Sequence, residues 1–241
     1  MKRPSAQRKA TKKEDKKESK QACTLEGDLW KAWLAHVLKQ STWLWVLTLL
    51  CHMFCLRVTE GLRLRASDFN WKTRSVRVGA LKRASEVYKK IMPAYLPLLR
   101  QLRDQGKTVR RARCWGALGR RTFNDTWEWP EGEDPLFPSR IGAAHATKDS
   151  VCHAVVKARK TFTPPAGCSL PDKSLVRSHS ARHRKINDMK ASGAAPDEGM
   201  TFARIKHRKT YDRYGKMTQT QAGEALQRNK KLQKTLKALY A

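Results

Sequence analysis

An uncharged, apolar segment constrains the fold of this chain more than any other stretch does. The sequence WLWVLTLLCHMFCL runs from Trp43 to Leu56, and the first charged residue after it is Arg57. A helix that crosses a membrane needs about 20 apolar residues, so this segment is too short, and we expect no membrane partner. It predicts instead a helix over residues 43–56 that is buried in the core of a folded domain and ends near Arg57.

Periodic patterns on both sides of this segment predict an α+β fold, mostly α, with a small antiparallel sheet. Apolar residues at helical spacing follow Asp28, which we expect to be the N-cap. Alternation in SVRV and EVYKKIMP predicts two strands around a turn that contains Lys82. Residues 107–135 are expected to be irregular, and further helices are predicted in YLPLLRQLRDQ, KDSVCHAVVKARKTF, the HSARH segment through Gly193, and residues 197–206.

Charge indicates the class of partner. The 241 residues include 51 Lys and Arg against 21 Asp and Glu, a net charge of +30. The first 25 residues carry nine basic and three acidic residues, a net +6, which leaves +24 on residues 26–241. The charge therefore belongs to the folded part of the chain, and a polyanion such as nucleic acid is the expected partner.

The two ends of the chain differ in composition from the segment between them. Residues 1–26 hold almost no large apolar side chains and are expected to form a disordered basic tail. Residues 217–241 predict a basic amphipathic helix. The six cysteines are scattered, and Cys51 and Cys55 lie one helical turn apart with no second pair to complete a zinc site. Buried free thiols are therefore favoured, and neither a metal nor a cofactor is predicted.

Residue types suited to phosphodiester cleavage recur along the chain. Such cleavage needs a nucleophile, cations that neutralise the non-bridging phosphate oxygens, and an acid that protonates the leaving hydroxyl. Arginine suits the second task because its planar guanidinium binds two phosphate oxygens and stays charged. The candidates are Arg57, His179 and Arg182 in HSARH, and the two tyrosines of TYDRYG, Tyr211 and Tyr214.

These motifs resemble those of tyrosine recombinases, the family of phage integrases and Xer-type resolvases. LTLLCHMFCLRVTEGLRLRASDF resembles the segment in which an apolar helix ends in a small-Leu-Arg-x-x-Glu-x-x-x-Leu pattern. HSARH matches the His-x-x-Arg-His box, TYDRYG resembles the Thr-x-x-x-Tyr nucleophile segment, and LFPSR resembles the loop before the His-x-x-Arg helix. The resemblance covers about residues 28–216 and implies a tyrosine recombinase catalytic-domain fold over residues 27–216.

The resemblance implies a role for most motif residues. Arg57 and Arg182 correspond to the two arginines that bind the scissile phosphate, and His179 shares a helix face with Arg182 because they are three residues apart. Glu60 corresponds to the acidic residue that orients the first arginine. Counting about thirty-two residues from Arg182, as in the family, leads to Tyr214 as the nucleophile, whereas Tyr211 falls three residues short and is assigned a packing role.

The general acid and one further site residue match the family less closely. Lys82 resembles the hairpin lysine that protonates the leaving 5′-oxygen, although Lys72, Lys89 and Lys90 flank the same sheet. His207 lies seven residues before the nucleophile, where the family has a Gly-His or a Trp about nine residues before it. It either fills that position after a two-residue deletion or is a surface phosphate contact.

Two larger departures concern the size of the domain. Arg57 and His179 are 122 residues apart, roughly twenty-five more than in the common catalytic domain, and we place the surplus at residues 107–133 as an insertion that touches DNA. No segment upstream resembles the helical core-binding domain that completes the clamp around DNA in this family.

The resemblance implies site-specific DNA recombination or integration by strand cleavage and rejoining through a 3′-phosphotyrosyl intermediate, with no metal or ATP. It also implies a homo-oligomer, a tetramer on double-stranded DNA, in which residues 217–241 dock on a neighbouring protomer. The expected location is the nucleus in a eukaryote and otherwise the cytoplasm or nucleoid. Three alternatives stay open: a catalytically inactive DNA-binding relative, a basic RNA-binding structural protein, and a type IB topoisomerase outcome of the same chemistry.

Overall fold

The computed structural model describes residues 22–214, apart from 82–83, 115–118, 140–143, 169 and 171, together with residue 227. The fold of this part is α+β and mostly α, as the sequence predicts. Its helices are α1 (Gly27–Gln40), α2 (Thr42–Met53), α3 (Val58–Leu62), α4 (Leu96–Gln105), α5 (Lys148–Thr161), α6 (Ser180–Ala191), α7 (Pro196–Ala203) and α8 (Arg208–Asp212). Its strands are β1 (Phe69–Asn70), β2 (Ser75–Val78), β3 (Val87–Lys90), β4 (Lys107–Cys114) and β5 (Arg120–Trp127).

The apolar segment forms α2 and lies at the centre of the main core. Leu44, Val46, Leu47 and Leu50 are each at most 1% exposed, because α1, α5, α6 and both strands of the second sheet contact this helix. The helix ends at Met53, three residues earlier than predicted. Cys55 takes a left-handed conformation, with φ of 51°, and the turn that it forms places Arg57 immediately before α3.

The N-terminal boundary also differs from the prediction. Helix α1 begins at Gly27, and its N-cap is Glu26 rather than Asp28. Asp28 lies in the first turn, where it pairs with Lys31 at 2.9 Å. Leu25 is fully buried in the main core, so the packed chain includes residues that the sequence assigns to the tail. Tail residues 1–21, and the predicted helix at 217–241 except for residue 227, lie outside the described residues.

The first sheet confirms the predicted hairpin. Strands β1, β2 and β3 are antiparallel in that order, with Val76 paired to Lys89 and Val78 to Val87. Val76 and Val78 are at most 1% exposed and anchor the sheet in the core. Beyond β2, backbone hydrogen bonds join Leu81 and Ala84 at 3.0 Å in both directions.

The second sheet overturns the prediction that residues 107–135 are irregular. Strands β4 and β5 form an antiparallel ribbon that keeps a regular register from Lys107 opposite Trp127 to Cys114 opposite Arg120. The apolar alternation that marks a strand is missing here because one face of the ribbon is polar and exposed, and Arg111 and Asp125 occupy part of the face that packs on the domain.

A smaller core joins helices α6, α7 and α8. It consists of buried residues from α6, from α7 and the turn after it, from α8, and from the turn after α2, namely Cys55, Ile186, Met189, Ala203, Ile205 and Tyr211. This core fixes α8, which is only five residues long and would not form by itself. None of the described helices combines the length and the apolar character that crossing a membrane requires.

Candidate active site

A cleft of about 910 Å³ brings together four residues that the sequence singles out, Arg57, His179, His207 and Tyr214. Among the described residues that line it, none is Asp or Glu, whereas several are cationic or imidazole side chains, including Arg63, His145, Lys148, Arg204 and Lys206. Such a concentration of positive charge around a phenol favours an anionic ligand and a developing phenolate.

Glu60 holds Arg57 at the floor of the cleft. Its carboxylate accepts a hydrogen bond from the Arg57 main-chain N–H at 2.7 Å and another from the Arg57 guanidinium at 2.9 Å. The Glu60 side chain is fully buried, whereas that of Arg57 is 37% exposed. Burial by itself would raise the pKa of Glu60, but the hydrogen bonds and positive charge from Arg57 outweigh it, so the pKa is lowered and the carboxylate stays ionised. These contacts suit the predicted orienting role.

Arg204 is a second partner of Glu60 that the sequence does not reveal. Its guanidinium donates to the Glu60 carboxylate at 3.2 Å and to the main-chain carbonyl of Ser85 at 2.5 Å. It ends α7 in the left-handed region, with φ of 54°. The side chain is 6% exposed and lines the cleft. One buried carboxylate therefore binds two arginines that are far apart in the sequence.

Arg182 occupies a different place from the one that its predicted role suggests. It is 2% exposed and is not among the residues that line the cleft. Its two terminal nitrogens donate short hydrogen bonds to the main-chain carbonyls of Cys55 and Ala203. The guanidinium thus joins α6 to the turn before Arg57 and to the end of α7, and it adds positive charge beneath the cleft.

His179 is an uncharged imidazole in this site at neutral pH. It precedes α6 directly and lines the cleft. Burial lowers its pKa, and the charges of Arg182, Lys148 and Arg57 lower it further. A phosphate that entered the cleft would favour the protonated form, so His179 is suited to donate a hydrogen bond to a phosphate oxygen.

The structure separates the two tyrosines. Tyr211 is 2% exposed, and its ring fills the space at Gly199, where a Cβ would lie 2.0 Å from the Tyr211 hydroxyl. Burial raises the pKa of Tyr211, which opposes formation of a phenolate. Tyr214 is half-buried and lines the cleft. The packing role predicted for Tyr211 therefore agrees with its position against α7.

Two residues of α6 hold the segment that carries Tyr214. The ring of His183 meets the Tyr214 ring edge to face, with 4.5 Å between the centroids. Burial lowers the pKa of His183 to about 4, so this ring is neutral at physiological pH. The Lys190 ammonium donates to the main-chain carbonyls of Tyr211, at 3.0 Å, and of Tyr214, and lies over the Tyr211 ring. Lys190 therefore neutralises the C-terminal end of α8.

Replacing Lys190 by Met is expected to slow any reaction of the Tyr214 phenol about 10²-fold, because misplacing a reacting group by about 1 Å has an effect of that size. The aliphatic stem stays, but the ammonium that fixes the Tyr214 backbone is lost. The affinity of the cleft for an anionic ligand should stay within about twofold, since Lys190 does not line the cleft. Single-turnover rates and binding titrations measure the two effects. Lys190→Arg should restore part of the rate, because a positive charge is kept. The control is Lys157→Met, which removes the charge of an exposed lysine on α5.

The lysines of the first sheet occupy distinct environments. Lys82, the predicted general acid, lies outside the described residues, although Leu81 and Ala84 on either side of that gap line the cleft. Lys72 and Lys90 are exposed. Lys89 is 5% exposed, and its ammonium donates to the main-chain carbonyls of Phe54, at 2.7 Å, and Phe202, at 2.5 Å. Lys89 therefore ties the strand to the smaller core and is not a free cation of the cleft.

The burial of Lys89 predicts a dependence of stability on pH. Desolvation is the main cause that lowers the pKa of Lys89 from 10.5 to about 8. The positive charges of Arg182 and Arg204 lower this pKa further, whereas Cys55 and Glu60 raise it. The unfolded chain therefore binds more protons than the folded one between pH 8 and 10.5. Relative to Lys89→Met, the free energy of unfolding of the wild type should be flat below pH 8 and rise by about 3 kcal/mol towards pH 10.5. Urea titrations across this range measure it, and parallel curves for the two proteins would contradict the assignment.

His207 lies at the mouth of the cleft. It is the N-cap residue of α8, where its carbonyl accepts from the main-chain N–H of Thr210 at 3.0 Å, and its side chain is exposed. This position is open to a phosphate from solvent, and it is compatible with both roles that the sequence leaves open. Within the described part of the chain, no three His, Cys, Asp or Glu side chains cluster as metal ligands would.

Solved structures with a similar fold include a site-specific recombinase and a transposon integrase. The XerH site-specific recombinase in a post-cleavage complex with palindromic difH substrate aligns over 86% of this chain with a TM-score of 0.50 and 15% identity. The Tn1549 transposon integrase in complex with transposon right-end DNA aligns over 86% with a TM-score of 0.52 and 12% identity. The chain has the fold of a tyrosine recombinase catalytic domain.

The match covers only part of these larger proteins. The chain spans 53% of the XerH chain and 66% of the integrase chain. A scan against protein-family models found no match, and a search of curated proteins found no significant one. At this level of identity the comparison establishes the recombinase fold, and the chemistry must be argued from the residues of the cleft.

The sequence does not single out five cationic or imidazole residues of the cleft, namely Arg63, His145, Lys148, Arg204 and Lys206. Arg204 sits in a segment with no recognisable motif, and His145 and Lys148 lie around the start of α5, distant in sequence from every other cleft residue. In a chain with 51 Lys and Arg, composition could not single them out. Only the packing of α5 against the centre of the domain brings His145 and Lys148 to the cleft.

Proposed function

We propose that this protein cleaves and rejoins DNA strands, with Tyr214 as the nucleophile. The observation that carries the proposal is the cleft itself, in which the Tyr214 phenol faces arginine, lysine and histidine side chains and no described carboxylate, on a recombinase fold. A phosphodiester is the anion that this set of groups can both bind and attack. The XerH and Tn1549 structures with the same fold contain DNA, which supports DNA as the substrate.

In the proposed reaction, the Tyr214 oxygen attacks the scissile phosphorus and the bond from phosphorus to the 5′-oxygen breaks. The phenol proton passes to water, and Lys82 gives a proton to the departing 5′-oxygen, which leaves as a hydroxyl. Arg57, held by Glu60, and His179 bind the non-bridging oxygens, while Arg182 stabilises the floor beneath them. Attack by a 5′-hydroxyl on the 3′-phosphotyrosyl group reverses these steps. Because one phosphate ester replaces another, the exchange needs no external energy source.

Site-specific recombination or integration is the outcome that we propose for this chemistry, with protomers assembled on the DNA and His207 as an additional phosphate contact. A second candidate, DNA binding without cleavage, is favoured by one observation. Both terminal nitrogens of Arg182 are occupied by main-chain carbonyls in this structure, so one of the two phosphate-binding arginines of the family is engaged elsewhere.

A trapping experiment distinguishes the two candidates. The protein is incubated with nicked duplexes of varied sequence, from which the short cleaved product diffuses away, and covalent adducts are sought on a denaturing gel. The proposal predicts an adduct in which the DNA is attached through its 3′-phosphate and the released fragment carries a free 5′-hydroxyl that a polynucleotide kinase can label. Binding to the same duplexes without any adduct would refute cleavage and leave the second candidate. Attachment through a 5′-phosphate would refute the proposed direction of attack.

A further inference from the structure

The ribbon formed by β4 and β5 has two faces with different environments. The register places alternate residue pairs on opposite faces. One face packs on the domain through Trp127, which is 5% exposed, and through Arg111. The Arg111 guanidinium donates to the carboxylate of Asp125 at 2.6 Å and to the carbonyl of Leu38 at 2.6 Å. The same carboxylate accepts from the main-chain N–H of Thr42 at 2.8 Å, so the base of the ribbon is fixed to the start of α2.

The opposite face of the ribbon is open. Its described residues are all exposed, and they are Thr108, Arg110, Ala112, Arg120, Thr122, Asn124 and Thr126. None of these seven is acidic or a large apolar residue, so this face is not suited to a protein core. Thr108 and Thr126 are joined by a hydrogen bond between their hydroxyls at 3.1 Å. Arginine, asparagine and threonine at this face all present donors, acceptors or methyl groups to the surroundings.

Charge and dimensions identify the kind of partner. Residues 107–127 contain six basic residues and one acidic residue, a net charge of +5, and the single acid, Asp125, is paired with Arg111. A strand of eight residues extends for about 26 Å. The major groove of B-DNA, about 12 Å wide, accommodates a two-stranded ribbon, and there Arg contacts guanine, Asn contacts adenine and Thr contacts the thymine methyl group.

The ribbon and the cleft lie within reach of one duplex. The ribbon is attached at Thr42, the first residue of α2, and Arg57 follows the other end of that helix. Twelve helical residues span about 18 Å, which a duplex covers in about five base pairs. A duplex that runs from the cleft along α2 would therefore reach the ribbon anchor.

We propose that the open face of the β4–β5 ribbon lies in the major groove of duplex DNA beside the cleavage site and reads base pairs, with Arg110 and Asn124 as the specifying residues. The two side chains are directly opposite each other in the register, so they address neighbouring base pairs. Like the proposed function, this role of the ribbon requires DNA as the partner. It does not require strand cleavage, because the ribbon would recognise sequence and take no part in the reaction.

The test uses the full chain and a pool of duplexes with randomised sequence. Bound duplexes are sequenced for the wild type, for Arg110→Ala and for Asn124→Ala, with Arg100→Ala on α4 as a control for the loss of an exposed cation. The wild type should enrich a sequence motif, and each ribbon variant should lose selection at one or two adjacent positions of it. Affinity for the wild-type motif should fall at least about tenfold, with a smaller effect on unrelated duplexes.

Three outcomes would overturn the inference. Equal weakening on all sequences, with a salt dependence reduced by about one charge for Arg110→Ala, would assign the ribbon to phosphate contacts only. An unchanged motif would place recognition elsewhere, and preferential displacement of the DNA by a duplex RNA competitor would assign the face to RNA. Tyr214→Phe separates this inference from the proposed function, because that variant should keep the motif while it forms no adduct. Equal urea denaturation midpoints verify that the ribbon variants are folded.

Discussion

Replacing Tyr214 by Phe should abolish the covalent adduct with DNA, whereas replacing Tyr211 by Phe should leave it. Tyr214 lines the cleft among the cations, and without its oxygen no phosphotyrosyl bond can form. Tyr211 is 2% exposed beneath α7, away from the residues that line the cleft. We expect complete loss of the adduct in the first variant and a cleavage rate within a few-fold of wild type in the second, measured on nicked duplexes by denaturing gel.

The tyrosine variants control for each other because each removes one phenol oxygen. The Tyr211 hydroxyl has no hydrogen-bond partner among the described residues, so its removal should leave the free energy of unfolding within about 1 kcal/mol of wild type or raise it slightly. Both variants should bind DNA with wild-type affinity. An adduct that persists in Tyr214→Phe and disappears in Tyr211→Phe would show that Tyr211, and not Tyr214, is the nucleophile. Persistence in both would place the reacting group elsewhere.

Arg182→Ala should destabilise the fold far more than Arg57→Ala, although both should abolish cleavage. Arg182 is buried, and its loss leaves the carbonyls of Cys55 and Ala203 without donors, at about 1–3 kcal/mol each. We expect the free energy of unfolding to fall by about 3–5 kcal/mol. Arg57 is partly exposed, and Glu60 keeps Arg204 as a partner when Arg57 is removed, so the loss there should be about 1 kcal/mol.

Urea denaturation measures this difference at a single pH, and cleavage of nicked DNA is scored under conditions in which each variant is folded. Arg182→Lys should recover part of the stability, since one ammonium can serve only some of the carbonyls. If Arg182→Ala were as stable as wild type and still inactive, the guanidinium would be free to move to a phosphate and would not be the structural support described above. If it were stable and active, neither role would hold.

Much of the helical architecture could be predicted from local pattern. Helix α2 follows from an uncharged run too apolar to face water and too short to cross a membrane. The β2–β3 hairpin follows from alternation in strands with one buried face. The N-cap of α1 is Glu26 rather than Asp28, and local pattern misplaces it because the sequence offers more than one polar residue near the start of the helix.

The β4–β5 ribbon was missed because sequence patterns detect strands through burial. Its open face is polar throughout, and its closed face places Arg111 and Asp125 where apolar residues are expected. Arg111 and Asp125 pair with each other and form hydrogen bonds to the end of α1 and the start of α2, so both charged groups have partners. The strand pair is therefore stable without the apolar alternation by which a sequence reveals a strand. The same argument applies to Lys89, an inward-facing lysine that two main-chain carbonyls accommodate.

By itself the sequence determined the fold class and the order of the motifs, because local patterns need no knowledge of distant contacts. The resemblance to tyrosine recombinases, through a count from Arg182, led to Tyr214 as the proposed nucleophile. The tertiary structure decided which cations face the cleft. Arg57 and Arg204 meet on the buried carboxylate of Glu60, and Arg182 is buried beneath them. In a chain with this many basic residues, the reason is burial: a guanidinium enclosed by the fold must find carbonyl or carboxylate partners, and only the folded arrangement specifies which arginine does so.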